Sequence, residues 1–397
     1  MKSKTFFAAL VCCLCLGFAT EAAADSWRVN NDKRANANFL DLNAAMEKVS
    51  DGDTLYVDKA TTFSTVQTLT KAVTVIGPGY FIGENDADEA YFSNTVYIQA
   101  EGVKLTGLHL SNVTIRHNKA VIERCRVTGN ILANDEEYAP CKCSIRSSFI
   151  TGQILGSYDS TSDWEFLNNI FYLYYSELEE VSCIDFFAEA IIDHNTFYVN
   201  RQNWFPAAIG QNISYTTIMN NLVYQGYGKA MDYNILCTEP ELQNKISGNV
   251  LNYALYGEGM DEIYPDNTIL EKAPLKSFFD CIGDNPQRDV YYRYSVPAGT
   301  TTSVEVEIPG GTTTETVIDT MSVIVPDTET VVIPHFSPRR VASTIYDNKK
   351  GVFYGAYPYV MSGYPLYVPR FESVNVPSQP DANGNLRVNL VIKNQNK

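Results

Sequence analysis

The chain has 397 residues, 45% hydrophobic, 12% aromatic and 19% charged, with Tyr in excess at 26. That composition describes a folding chain rather than a disordered one, and its low charge beside many Asn, Thr and Tyr does not suit a helical protein. A formal charge of −16 excludes sequence-independent nucleic-acid binding as the main task. It also argues against a broad grip on polyanions, short of locally clustered cations or a bridging metal.

The N-terminus has the organisation of an export signal. Lys2 and Lys4 precede the apolar run FFAALVCCLCLGFA at residues 5–18, and Ala22, Ala23 and Ala24 offer a small-residue cleavage site before Asp25. The run is too short for a comfortable membrane span and no later apolar stretch reaches spanning length. Residues 1–24 are therefore read as a signal peptide, and the mature chain as exported to the periplasm, cell surface or medium. Removing them discards two Lys and one Glu and leaves a net charge of about −17. Cys125, Cys141, Cys143, Cys183, Cys237 and Cys281 remain, at irregular spacings that favour buried free thiols over a disulfide framework.

After the signal, Leu40, Leu42, Ala45, Met46 and Val49 fit one short amphipathic helix. Asp51-Gly52-Asp53 then turns into a first strand from Leu55 to Val57, and Gly77-Pro78-Gly79 marks a turn soon after. From residue 105 a repeat appears. Seven segments place two apolar residues five apart, with a small or amide residue three after the first. They begin at Leu105, Ile122, Ile145, Phe166, Ile192, Ile218 and Ile246, at intervals of 17, 23, 21, 26, 26 and 28 residues. A strand-turn-strand unit at this pitch is the signature of a β-solenoid. In the last four segments the third position is Asn169, Asn195, Asn221 and Asn249. Asn residues in register at an inward turn can bond their own backbone and the Asn of the next coil, about 4.8 Å away.

With this column and the segment FLDLNAAMEKVSDGDTLYV, residues 39–57, the sequence resembles the right-handed parallel β-helix, or pectin-lyase-like, superfamily of exported bacterial proteins. The resemblance covers residues 36–284 and implies an all-β fold: a right-handed solenoid from residue 25 to 284 with an N-terminal capping helix. Gly355-Ala356-Tyr357 is similar to the Gly-Ala-aromatic stretch that often closes family members. The resemblance is specific for fold and poor for function, because the superfamily holds lyases, hydrolases, adhesins and proteins without known activity.

The last third, 285–397, reads as a β-rich extension that returns to the solenoid. Thirteen of the 17 Pro lie at or beyond Pro265, and strands such as Ser303 to Ile308 alternate apolar and polar residues between Gly-Thr-rich runs. Hairpins leaving the solenoid, a return over residues 344–359, and a final strand pair around the turn Asp381 to Gly384 are expected.

Chemistry has two candidate places. Three residues beyond the Asn column, on an outward position, stand Tyr172, Tyr198 and Tyr224. Stacked, they could form a platform for sugar rings; an apolar face this large is more often covered, and residues 285–397 could cover it. The other place is a concentration of cations. Residues 104–146 carry seven basic residues, whereas 147–228 carry only Arg201 against nine acids. Arg124, Arg126 and Arg146, with Glu123 beside them, flank the turn on successive coils and could receive an anionic sugar, though ordinary solvated surface is the commoner use of such residues. A lyase of this fold needs a base and cations to neutralise a carboxylate. A hydrolase needs paired carboxylates, and Asp185, Asp193 and Asp232 form no acidic column. No obligatory cofactor is implied; Ca²⁺ is the one ion that the stretch Glu84 to Glu89 could hold. The four His show no metal spacing. The expected partner is a polysaccharide or cell-surface glycan, with no nucleic acid and no membrane span after signal removal. Binding or lyase-type cleavage of carbohydrate at the cell envelope, or a purely structural or adhesive surface role, is the functional expectation, and it rests mainly on the resemblance.

Overall fold

The computed structural model describes residues 24–80, 88–133, 140–157, 161–174, 181–200, 206–225, 233–270, 301–302, 323–324, 350–352, 354–359, 370–375 and 389–393. Short strands of β-branched and aromatic residues follow one another around a triangular path and stack in parallel. The first sheet runs from Ser26–Val29 and Thr54–Val57 to Lys245–Ser247 and has ten strands. The second, from Thr61–Phe63 to Thr268–Ile269, also has ten, and the third, from Gln67–Leu69 to Ala254–Leu255, has nine. Every pairing within the three is parallel, for example Ile122 beside Leu105 and Ile145, and the register shifts only between Tyr233–Ile235 and Ala254–Leu255 among the described residues. The fold is a right-handed parallel β-helix, as expected from the repeat.

Each segment of the sequence frame begins in the first sheet and ends in the second. Leu105, Ile122, Ile145, Phe166, Ile192 and Ile218 are fully buried along one inner column and Leu110, Val127, Ile150, Phe171, Phe197 and Val223 along another. Phe171 and Phe197 stack with centroids 4.6 Å apart. Each coil leaves its strand edges to the next, so the apolar core is continuous along the axis. The third sheet has no sequence counterpart in the frame.

Asn169, Asn195, Asn221 and Asn249 are fully buried and form the expected ladder. Their Nδ2 groups donate to the Oδ1 of the next Asn at 3.1, 3.1 and 2.9 Å, and Asn249 donates at 2.8 Å to a fifth rung, Asn267. The same Oδ1 atoms accept the backbone N–H one coil back, as from Asn195 to Asn221 at 2.8 Å. The second Nδ2 proton goes to a carbonyl, as from Asn221 to Ile192 at 2.8 Å. One amide thus completes two backbone bonds that a turn would otherwise leave open, and a third bond joins it to the next amide. Tyr264, Asn267 and Ile269 repeat the sequence frame 18 residues after Ile246, a signal the seven segments already defined.

The residue before each ladder position takes a left-handed conformation. Gly107, Arg124, Ser147, Asn168, His194, Asn220 and Gly248 have φ between +48° and +68°. This makes the turn from first to second sheet only two residues long and aims the next side chain inward. Gly77 packs against this column; a Cβ there would stand 2.3 Å from the Gly107 carbonyl oxygen.

The N-terminal end departs from expectation in two details. The chain begins the solenoid with Ser26–Val29, paired to Thr54–Val57, ahead of the strand expected to be first. The helix, α1, spans only Leu42–Met46, and Leu40, expected on its apolar face, precedes the cap and is 41% exposed. Asp41 caps it by accepting from Ala44 N at 2.8 Å, and Gln67 Oε1 accepts from Leu42 N at 2.9 Å, which fixes the helix on the third sheet. The Cys expectation stands for the described residues: Cys125, Cys141, Cys143, Cys183 and Cys237 are free, with burial pushing Cys125 and Cys143 up to about 12. In the last third, Arg370–Asn375 pairs antiparallel with Asn389–Lys393, and Thr301–Thr302 with Val323–Ile324. The expected turn at 381–384 lies outside the described residues. No described helix is long and apolar enough to cross a membrane.

Two outcomes follow from this frame. Asn221→Ala removes the acceptor of a buried N–H and breaks the ladder mid-run, so denaturant unfolding should show a loss of about 3 kcal/mol; a loss below ~0.5 kcal/mol would refute the ladder's role. Asp53 ties the first strand to the first coil through Asp25 N, Ser50 N and Trp27 Nε1. Burial alone would raise its pKa, but these donors together hold it below the ordinary carboxylate value. The ionised form therefore adds stability that is complete above the unfolded value of about 4 and is lost as pH falls through the folded one. Trp27 fluorescence should report release of this end on acidification, and Asp53→Asn should flatten that dependence.

Candidate functional site

The candidate cations do not converge on one spot. The turn splits them. Arg126 lies on the outer face of the second sheet beside His109, and Arg146 on the outer face of the first sheet beside Glu123. Arg124 sits in the turn between them, in a left-handed conformation and 6% exposed. The three do flank the turn on successive coils, but the expectation of ordinary solvated surface is corrected for Arg124, which is buried near Tyr80.

Each outer face holds a buried carboxylate. Glu123 Oε2 stands 2.7 Å from Lys104 Nζ, and its Oε1 3.4 Å from Arg146 Nε, a contact too oblique for a hydrogen bond. Glu89 Oε2 stands 2.6 Å from His109 Nδ1 and 3.3 Å from Arg126 Nη1. Tyr91 stacks on the imidazole at 4.1 Å. The Glu89 contact occupies Nδ1 and leaves Nε2 facing Thr128 Oγ1 at 3.5 Å. Sequence reasoning missed Glu89 and His109. Glu89 lies just before the strand Ala90–Phe92 and His109 opens the strand His109–Leu110, and the two are joined only by the stacking of coils. Asp88, the neighbour of Glu89 in the stretch considered for Ca²⁺, pairs with Lys59 at 3.3 Å; residues 84–87 lie outside the described residues, which contain no cluster able to hold a metal.

The tyrosines do stack. Tyr172 and Tyr198 lie 5.1 Å apart and Tyr198 and Tyr224 5.8 Å, each pair within 11° of parallel. They are no open platform. Tyr172 is 5% and Tyr198 3% exposed, and they share an apolar cluster with Ile170, Leu222, Val352 and Tyr359. The cover is residues 350–352 and 354–359, which run along the turn column against the direction of the coils. Gly351 N donates to Asn220 O at 2.9 Å, Val352 N to Thr196 Oγ1 at 3.1 Å and Tyr357 N to Asn168 Oδ1 at 3.1 Å. Ser147 Oγ donates to Tyr357 O at 2.6 Å, and the Tyr80 and Tyr359 hydroxyls meet at 2.9 Å. The return of the chain here was expected. Gly355-Ala356-Tyr357 serves it as part of a flank strap; it does not lie at an end of the solenoid.

This strap joins both questions of chemistry. Tyr357 lays its ring 4.3 Å from the Arg146 guanidinium. Tyr80 is fully buried, which pushes its hydroxyl well above the ordinary range, and Arg124 offsets this in part. The acids weighed for hydrolysis stand apart. Burial pushes Asp185 up, and it accepts from Phe186 N and Asn212 N at 2.9 Å as a turn residue. Asp193 lies 2.7 Å from His194. Asp232 lies outside the described residues.

No family model, no curated protein and no solved structure matches the chain.

Gly355 has φ +86°, and a Cβ there would stand 2.8 Å from His194 Cγ. Gly355→Ala should therefore loosen the strap while leaving the coils folded. Faster hydrogen exchange at Val352 and its neighbours, at unchanged circular dichroism, is the expected result; unchanged protection would show that the strap does not depend on this contact.

Proposed function

We propose that the protein is an exported β-helix protein, akin to the pectin-lyase-like group, that binds or processes carbohydrate at the cell envelope. The observation that carries this reading is the pairing of Glu89 with His109 beside Arg126 on an outer sheet face. A buried carboxylate holds one imidazole nitrogen, and the other, beside only the weakly held Thr128 hydroxyl at 3.5 Å, is the one that could take a proton. A guanidinium within the same cluster can meet an anion. This favours lyase-type chemistry over hydrolysis, because Asp185 and Asp193, the described acids weighed for hydrolysis, lie on different sheets. Glu123, ion-paired to Lys104 and Arg146, is the poorer base.

A second reading has its own support. Arg126 and Arg146 are each matched to a buried carboxylate, and the tyrosine stack is covered. A structural or adhesive surface protein needs both features and no turnover.

The mature chain from Asp25 onward, screened against polysaccharides, separates these readings. Rising ultraviolet absorbance from unsaturated products marks a lyase, new reducing ends alone a hydrolase, and retention without products a binding module. Where a lyase is found, His109→Ala should lower turnover at least about 100-fold. No binding to any glycan would leave the structural reading.

A further inference from the structure

The solenoid takes hold of its chain at Asp25. The Asp25 N–H donates to Asp53 Oδ1 at 2.8 Å, and the Asp25 carbonyl accepts from Thr54 N at 2.8 Å. Ser26 follows directly as the first residue of the first sheet, paired with Thr54. Ala24 and Asp25 are both exposed, so the peptide bond between them lies at the surface. The sequence places Ala22, Ala23 and Ala24 just ahead of it, the small residues that a leader peptidase accepts.

Asp53 is 4% exposed, and the donors it meets are all neutral. Its Oδ2 accepts from Ser50 N at 3.0 Å and Trp27 Nε1 at 2.9 Å, while Oδ1 holds the Asp25 N–H. Among the described residues no Lys, Arg or His forms an ion pair with it. Arg28, on the first strand, pairs with Asp58 at 2.6 Å, and Asp51, in the same turn as Asp53, accepts from Ala72 N at 2.8 Å. Asp25 itself, Glu47 and Lys48 are exposed, and Lys71 makes no ion pair with Asp53. A carboxylate buried among hydrogen-bond donors without an opposite charge is rare, because burial penalises the ionised form. A cation at the Asp25 nitrogen would supply that charge.

Hydrolysis of the Ala24–Asp25 peptide bond makes this cation in place. Water gives its oxygen to the new Ala24 carboxylate and both its protons to the Asp25 nitrogen, which becomes an ammonium. We infer that the leader is cut between Ala24 and Asp25, and that the new α-ammonium of Asp25 pairs with the buried Asp53 carboxylate, so that processing itself tightens the first strand onto the first coil. The inference rests on the exported reading above and adds to it the position and the structural effect of the cut. An α-amine ordinarily titrates near about 8, and a carboxylate partner raises that value. The ammonium therefore adds stability that is complete below the unfolded value of about 8 and is lost as pH rises through the folded one.

Two chains released from a cleavable fusion test the pairing. One starts at Asp25; the other starts at Ala22, which keeps the Asp25 N–H and lacks the charge there. At pH 7 the chain from Asp25 should melt at least about 2 °C higher. The difference should vanish above about pH 10, where the amine is neutral, and in Asp53→Asn. Competitive acetylation, read by mass spectrometry of the N-terminal peptide, should place the Asp25 α-amine above its ordinary value of about 8 and return it there in Asp53→Asn. Equal melting of the two chains at pH 7, a difference that survives Asp53→Asn, or an α-amine at its ordinary value would overturn the pairing. Should Asp53→Asn fail to fold, the titration and the pH dependence of the unsubstituted chains decide. The position of the cut is read separately: expressed with residues 1–24 in a bacterial host, the exported chain should have the intact mass of a chain beginning at Asp25. An exported chain beginning elsewhere would overturn this inference while sparing export. Retention of the uncut chain inside the cell would remove the exported reading and this inference with it.

Discussion

The two-residue turn between the first and second sheets is the constraint on which the rest depends. A parallel coil of this kind must reverse its side-chain facing within two residues, so one residue must enter left-handed space and the next must look inward. From Gly107 to Gly248 the first of these is supplied by seven residues of different chemistry. From Asn169 onward the second is supplied by asparagine, whose amide satisfies both the turn beside it and the coil behind it. Earlier coils manage with less: Cys125 N donates to Ser148 Oγ at 3.1 Å, and Leu108 offers no polar group at all. The ladder joins coils of 26 to 28 residues from Asn169 to Asn249 and continues across a shorter step of 18 residues to Asn267.

The same turns supply the dock for the strap. Asn168 donates to the carbonyls of Val352 and Tyr354 and accepts from Tyr357 N. Lys350 Nζ donates to Asn220 Oδ1 at 2.6 Å. Ser147, Asn168 and Asn220, all left-handed, turn polar groups toward the strap, which finds along them a row of donors and acceptors on successive coils. One structural solution therefore serves two purposes: it turns each coil inward and it presents outward the groups that hold the cover.

What could be read in the sequence follows from what repeats chemically. The solenoid and its Asn column were legible because one residue type recurs at one offset from an apolar pair. The left-handed column was not, because Arg124, Ser147, Asn168 and His194 share only a backbone angle. The third sheet was not, because the chain between second-sheet and third-sheet strands varies from the two residues after Leu110 to the seven after Gln225, which destroys any common frame. The strap could be suspected from the size of the apolar face, but its path rests on contacts as far apart in sequence as Tyr80 and Tyr359. Half of the candidate site was visible: the Arg and Glu123 were found by charge counting, whereas Glu89 and His109 become neighbours only by stacking. Counting charge also misled, since it cannot tell a free guanidinium from one already matched to a carboxylate.

Along the axis the outer column of the second sheet changes character in one step. Tyr91, His109 and Arg126 precede Phe149, Ile170, Thr196, Leu222 and Val250 in the same register. The apolar half is the part that the strap buries, and the polar half is the part that carries Glu89 and His109. The strap spans the divide, from Lys350 at Asn220 to Tyr359 at Tyr80. Cations spread evenly over an acidic protein would each be screened by nearby acids. Here Arg126 and Arg146 stand on neighbouring coils, with Tyr357 of the strap against the Arg146 guanidinium. The apolar residues from Phe149 onward form the bed of the strap, and the Glu89–His109 pair lies on the coils before it.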